Sequence, residues 1–335
     1  MIPFDSPRII ATLGPSCSEA RILASMIEAG VDVFRINFSQ CSLEEHAVYL
    51  HALGEARRLA GRAAAVVGDL CGPRFRVGRI EPDGQELRQG VRLTIAADCP
   101  IGPASRFGTN YDHFTQDVAV GDPVLIDEGR LVLRVIDKVA DEVRCEVVRG
   151  GRLHSRKGIN LPNTHLSAAS VTDEDWRAVH WAVEQGLEYL ALSFVRSAGD
   201  IEVLRDGLKG SSVKIVAKVE TRQALSQLEP IVQASDAVLL ARGDLGVEVD
   251  PATIPIVQRQ LGPLCRRLDR PWWVATHILH SMIANPVPTR AEVSDVATAI
   301  WDGADGLVLT GETAMGHHPI EVVQILRRII ATVAQ

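Results

Sequence analysis

Eight short apolar runs, each followed by a segment of helical pattern, constrain this chain more than any other feature. They are RIIATL, VDVFRIN, AAAVVGD, EYLALSF, VKIVAKVE, AVLLARG, PWWVATH and GLVLTGE. Runs this short, apolar on both faces and rich in β-branched residues, read as buried parallel strands. Strand-then-helix steps build parallel sheets, and eight such strands close a (β/α)8 TIM barrel, an α/β fold. The first helices read as Ser18 to about Ala29, ended by Gly30, and Glu44 to Ala60, ended by Gly61. Another runs from Asp173 to Gln185.

Between the third and fourth of these strands the texture changes. VRLTIA, PVLIDE, RLVLRVI and EVRCEVV are joined by the turn signals PDGQ, DEGR and RGGR, with no helix expected among them. This pattern predicts a small inserted β-barrel-like lid domain over 75–160, leaving 1–74 and 161–335 for the barrel. Turn formers mark the joins at Gly72-Pro73 and Leu161-Pro162-Asn163.

Apolar residues make up 46% of the chain, ample for the core of such a barrel. A net charge of -7 argues against nucleic acid or an acidic membrane surface as a partner. No apolar run approaches the ~18 residues of a membrane span, and the first residues lack the pattern of a secretory leader. Six cysteines, at 17, 41, 71, 99, 145 and 265, show no C-x-x-C spacing. Reduced thiols in a cytoplasmic protein are the expectation.

The chemistry concentrates in Val213 to Asp244. Lys218 and Glu220 are two apart in one strand and therefore share a face, and Gly243 and Asp244 end the next strand. Two carboxylates and an ammonium at neighbouring strand ends make a seat for a hard divalent cation and an anionic substrate. Arg35, Asn37, Asp69, Ser193, Thr276 and Glu312 also fall at the carboxyl ends of their strands, where barrel enzymes build their sites.

PRIIATLGPS, VFRINFS, RKGINLP, LSFVR, KIVAKVE, ARGDLGVE and PTRAEVSDVATAIWDGADGLVLTGETAMG, in this order, resemble the pyruvate kinase family over nearly the whole chain. The resemblance implies phosphoryl transfer between phosphoenolpyruvate and ADP, giving pyruvate and ATP. It implies Glu220 and Asp244 as ligands of Mg²⁺ or Mn²⁺, and Lys218 and Arg35 as stabilisers of the transferring phosphoryl group. Gly243, Asp244, Ser193 and Thr276 would bind substrate, Thr276 also aiding protonation of the enolate. Thr12, Pro15, Arg76 and Lys157 would meet the nucleotide. A homo-oligomer is compatible with the resemblance.

The sequence departs from the family's pattern at several places. Asn37, Ser39 and Asp69 match its monovalent-cation ligands, but Arg74 stands where a glutamate commonly accompanies a potassium requirement. A guanidinium replacing the cation, with K⁺ not required, is therefore expected. Cys71 replaces a lysine and is read as an inert thiol, and His277 and His280 replace the glutamine and glutamate after Thr276. The family's C-terminal α/β domain for sugar-phosphate effectors is absent from the sequence, so no activation by such effectors is expected. Two other function classes stay open: a phosphoenolpyruvate or pyruvate-enolate enzyme with a different acceptor, and a metabolite-binding regulator without turnover.

Overall fold

The computed structural model describes residues 6–97 and 99–333, so the outermost ends of the expected barrel segments, 1–5 and 334–335, lie outside the described residues. Eight parallel strands close a barrel: β1 Arg8–Thr12, β2 Val31–Asn37, β3 Ala65–Asp69, β4 Tyr189–Leu192, β5 Lys214–Val219, β6 Ala237–Ala241, β7 Trp272–Ala275 and β8 Gly306–Leu309. Each strand lies beside its neighbour in sequence, and β1 pairs with β8 through Ala11 and Leu309 to complete the ring.

The strands are buried on both faces, which explains why they read as continuous apolar runs. Their outward residues, among them Ile9, Phe34, Leu190, Leu240 and Leu307, pack with the surrounding helices into one large core. Their inward residues form a separate layer that includes Ile10, Val33, Val67, Val216, Leu239, Trp273 and Val308. Helix entry is fixed locally. Ser42 caps Leu43–Ala60, Thr172 caps Asp173–Glu184 and Thr289 caps Arg290–Trp301, each in a reciprocal capping box.

Between β3 and β4 the chain forms a second sheet of seven strands. Its order is Phe75–Arg76, Gly158–Asn160, Pro123–Ile126, Leu131–Val139, Glu142–Arg149, Arg92–Ala96 and Arg106–Phe107. A bridge between Val77 and Thr109 joins residues beside its two edges and curls it toward closure. Its core, with Phe107, Phe114, Leu133 and Val143, is separate from both barrel cores. One short helix, Phe114–Asp117, interrupts the strands where none was expected. Its four residues are too few to show a helical period, and the Asp117 carboxylate makes a long-range contact, accepting from Ser167 N at 2.7 Å. Among the described residues no helix is long and apolar enough to cross a membrane.

Two glycines test how tightly the helices pack. Gly262, inside Ile254–Arg267, lies so close to the end of Arg290–Trp301 that a Cβ there would stand 1.9 Å from the Asp302 carbonyl oxygen. Gly54, inside Leu43–Ala60, has open space at the same position. Gly262→Ala is expected to lower stability by about 1–3 kcal/mol through overpacking. Gly54→Ala should raise stability by roughly 0.5–1 kcal/mol by restricting the unfolded chain. Urea unfolding midpoints at unchanged slope check both, and a stabilising Gly262→Ala would contradict the close helix contact.

Candidate active site

The site follows from strand parity. Inward residues recur every second position, so those following the apolar layer of Ile10, Val33, Val67, Ala191 and Val216 are Thr12, Arg35, Asp69, Ser193 and Lys218. Two further on from Lys218 comes Glu220. The apolar residues fill the barrel interior, and the polar ones ring its carboxyl-terminal mouth.

There the ring is continuous. Arg35 Nε donates to Asp69 Oδ2 at 2.7 Å, and Lys218 Nζ donates to Asp69 Oδ1 at 3.0 Å. Lys218 also donates to Ser193 Oγ at 2.7 Å and stands 3.3 Å from Glu220 Oε2. The Ser193 hydroxyl donates in turn to the Leu70 carbonyl at 2.7 Å. Glu220 is fully buried: Oε1 accepts from the Phe194 N–H at 2.7 Å, whereas Oε2 has no hydrogen-bond donor.

Burial alone would raise the Asp69 pKa, but the Lys218 and Arg35 charges outweigh it and bring it down to about 2. For Lys218, burial favours loss of the proton, yet Asp69 and Glu220 hold the ammonium and raise its pKa. Glu220 is pushed the other way: burial carries it up to about 7 despite Lys218, with Asp244 and Asp69 adding like charge. A carboxylate in this position is under-compensated and suited to a further cation.

A second group comes from β6 and β7. Gly243 and Asp244 lie in the first turn of the short helix Arg242–Glu248, directly after β6. A Cβ on Gly243 would stand 2.9 Å from Thr276 Cγ2, so only glycine lets the two loops meet. Thr276 and His277 both adopt left-handed backbone conformations, with φ of 78° and 57°. Such residues cost about 1–3 kcal/mol each and persist where surrounding contacts impose them. Arg242 supplies one such contact, donating to the Thr276 carbonyl at 2.7 Å while paired with Asp295 at 2.8 Å.

Above this mouth, a cavity of about 330 Å³ lies between the barrel and the inserted sheet. Arg76, Lys157 and Asp244 line it with Arg74, while Lys157 is paired with Asp127 at 2.9 Å. The Arg74 guanidinium lies over the Phe194 ring, 5.9 Å from its centroid, while Asp69 takes its positive partners from Arg35 and Lys218. Asn37 Oδ1 accepts from Ser39 Oγ at 2.8 Å.

Thr12 is buried: its hydroxyl donates to the Leu309 carbonyl and accepts from Arg35 Nη1 at 3.0 Å, so it steers Arg35. Pro15 is exposed and opens a single helical turn after β1. Glu312 is buried too, accepting from the N–H groups of Leu279 and Thr310, and therefore ties together the loops after β7 and β8. Burial pushes the Cys71 thiol up to about 11, as an inert thiol requires. His277 and His280 are exposed, with ring centroids 4.7 Å apart.

Sequence reasoning missed Phe194, Arg196 and Glu248. Arg196 lines the cavity and donates to the Leu166 and Ala168 carbonyls, holding the irregular segment that returns from the inserted sheet. The LSFVR motif contains both Phe194 and Arg196, and ARGDLGVE contains Glu248. For Phe194 and Arg196 the position just past a strand end was a further signal; Glu248, at the end of a helix, had only the motif.

Comparison with known proteins agrees with this geometry. Residues 5–323 match the family described as pyruvate kinase, barrel domain. A pyruvate kinase of Mycobacterium tuberculosis is 41% identical over 331 residues, covering 98% of this chain and 70% of that protein. One from Thermotoga maritima is 38% identical over 326 residues, covering 97% of this chain and 70% of its own length. The crystal structure of a pyruvate kinase from Cryptosporidium parvum superposes with a TM-score of 0.94 at 32% identity, covering 98% of this chain and 69% of that one. With the barrel, the mouth residues and these relatives in agreement, the chain belongs to the pyruvate kinase family.

Proposed function

We infer that this chain transfers the phosphoryl group of phosphoenolpyruvate to ADP, giving pyruvate and ATP, at the carboxyl-terminal mouth of the barrel. The buried ring from Arg35 through Asp69 and Lys218 to Glu220 carries this reading. Residues 1–74 and 161–335 act as the catalytic barrel, and 75–160 as a lid over its mouth. The glycolytic setting and six cysteines without disulfides suit a reducing cytoplasm.

Lys218 and Arg35 are fixed cations whose positions are set before substrate arrives. In the transfer the bond from phosphorus to the enol oxygen breaks and one to a terminal ADP oxygen forms. The two side chains stabilise charge on the oxygens of the moving group without reorganising. Arg76 and Lys157, on the lid side of the cavity, meet nucleotide phosphates; Pro15, exposed after β1, meets the nucleotide from the barrel, and Thr12 acts through Arg35, whose guanidinium its buried hydroxyl accepts from. Ser193 holds Lys218 in place, and the N–H groups near Gly243 and Asp244 with the Thr276 hydroxyl hold the substrate carboxylate. Thr276 orients the water that returns a proton to the enolate carbon.

The residues fit a divalent cation. Glu220 Oε2 is buried without a donor, and Asp244 is the second carboxylate at the same mouth. Glu220 and Asp244 would hold Mg²⁺ or Mn²⁺, the remaining positions falling to substrate oxygens and water. Bound there, the ion would supply positive charge against the substrate oxygens. An alternative acceptor or binding without turnover is not favoured, given curated relatives that share the family's activity.

A coupled assay with phosphoenolpyruvate, Mg²⁺ and a panel of nucleoside diphosphates tests the reaction: pyruvate and nucleoside triphosphate are expected in equal amounts. Lys218→Ala should lower kcat at least ~100-fold while phosphoenolpyruvate binding stays measurable by calorimetry. Near-normal kcat would remove Lys218 from the transferring charge.

Arg74, expected to replace the cation beside Asn37, Ser39 and Asp69, lies over the Phe194 ring and lines a cavity together with Ser39. We therefore expect substantial activity with a bulky organic counter-ion and little stimulation by KCl at constant ionic strength. Arg74→Glu should lower activity and make it respond to K⁺. Strong K⁺ activation of the unaltered chain would overturn this reading.

A further inference from the structure

The seven-residue helix Arg242–Glu248 is a junction between the barrel mouth and the inserted sheet. Its first turn carries Asp244. At its far end Glu248 is 9% exposed, and its Oε1 accepts from Asn160 Nδ2 at 2.9 Å across 88 residues of sequence. Asn160 belongs to the strand Gly158–Asn160, paired with Pro123–Ile126 in the lid sheet, where it sits opposite Leu125.

Glu248 also reaches the other carboxylate's loop. Arg222, two residues beyond Glu220, donates from Nε to the Glu248 backbone carbonyl at 3.3 Å. The lid turn at Gly129 comes close to the same helix: a Cβ added there would stand 3.9 Å from Val247 Cγ1. Glu248 thus joins the lid through its carboxylate and the Glu220 loop through its carbonyl, at the end of the helix of Asp244.

We propose that Glu248 and Asn160 are positioning residues for the transfer: their hydrogen bond is the latch through which the lid's position sets the placement of Glu220 and Asp244. This rests on the reading of those two carboxylates as cation ligands. A hydrogen bond to a carboxylate is stronger than one between neutral groups, and Glu248, only 9% exposed, leaves water little room to replace it. Lid and cation therefore favour one another's bound arrangement, a coupling that runs in both directions.

Mn²⁺ alone, counted by the paramagnetic resonance of the free ion, tests the latch, together with amide hydrogen exchange of the lid. In the unaltered chain, Mn²⁺ should slow exchange at 123–126 and 158–160. Asn160→Ala and Glu248→Ala should each bind Mn²⁺ about tenfold more weakly, the usual effect of removing support behind a metal ligand, and should lose this protection. The double variant should be no weaker than either single one. Glu248→Gln keeps a neutral acceptor for Asn160 and should retain most of both properties, weakening Mn²⁺ binding less than Glu248→Ala does, which separates positioning from general loss of stability.

Mn²⁺-independent exchange in the unaltered chain, or normal affinity and protection in Asn160→Ala, would overturn the latch. Asp244→Asn distinguishes the two failures. If it abolishes Mn²⁺ binding while Asn160→Ala behaves normally, the cation site stands and only the latch falls. If it binds Mn²⁺ normally, the cation-site reading falls and takes the latch with it.

Discussion

Two cations and two carboxylates, buried in one chain of contacts at the barrel mouth, hold this site together. Isolated, any of them would cost several kcal/mol to bury. Together Arg35, Asp69, Lys218 and Glu220 have no net charge, and Ser193 accepts a further Lys218 proton. Asp69 is central because both cations converge on it, one on each oxygen. Glu220 is at the open end, with one oxygen satisfied by a backbone N–H and the other 3.3 Å from the Lys218 ammonium but without a hydrogen bond. Partial compensation keeps the site folded and still electrostatically hungry.

The barrel and the site are one arrangement of side chains. A strand that turns Val33 inward must also turn Arg35 inward, and the same holds for Val67 with Asp69 and Val216 with Lys218. The apolar member of each pair packs the interior. The polar member reaches the mouth at a depth fixed by the stagger of adjacent strands, such as Arg35 beside Val67 and Lys218 beside Leu239. A one-residue slip in any of these strands would reverse both at once, so core packing enforces catalytic geometry.

The loops beyond the strands add what parity cannot. Phe194 and Thr276 are left-handed, and this backbone aims the Phe194 N–H at Glu220 and seats Thr276 against Gly243. Arg196 and Glu248 then fasten the return from the lid to the barrel. Strain and burial are concentrated where the two sheets meet, with the cationic cavity residues Arg74, Arg76 and Lys157 above the buried ring.

The sequence by itself determined the eight strand-helix steps, the inserted run of strands, and the strand ends that carry charge. Each depends on local periodicity, turn residues and side-chain parity, which act over a few residues. It also put Lys218 and Glu220 on one face, and they stand 3.3 Å apart. Only the tertiary structure decided that Asp69 would engage Arg35 and Lys218 while Asn37 binds Ser39, that the Thr12 hydroxyl would be spent on Leu309 and Arg35, and that Glu312 would brace two loops. It alone joined Asn160 to Glu248. Period and parity give the direction of a side chain, but its partner depends on ring closure and register, which bring together residues as far apart as Asp69 and Lys218, 149 positions along the chain.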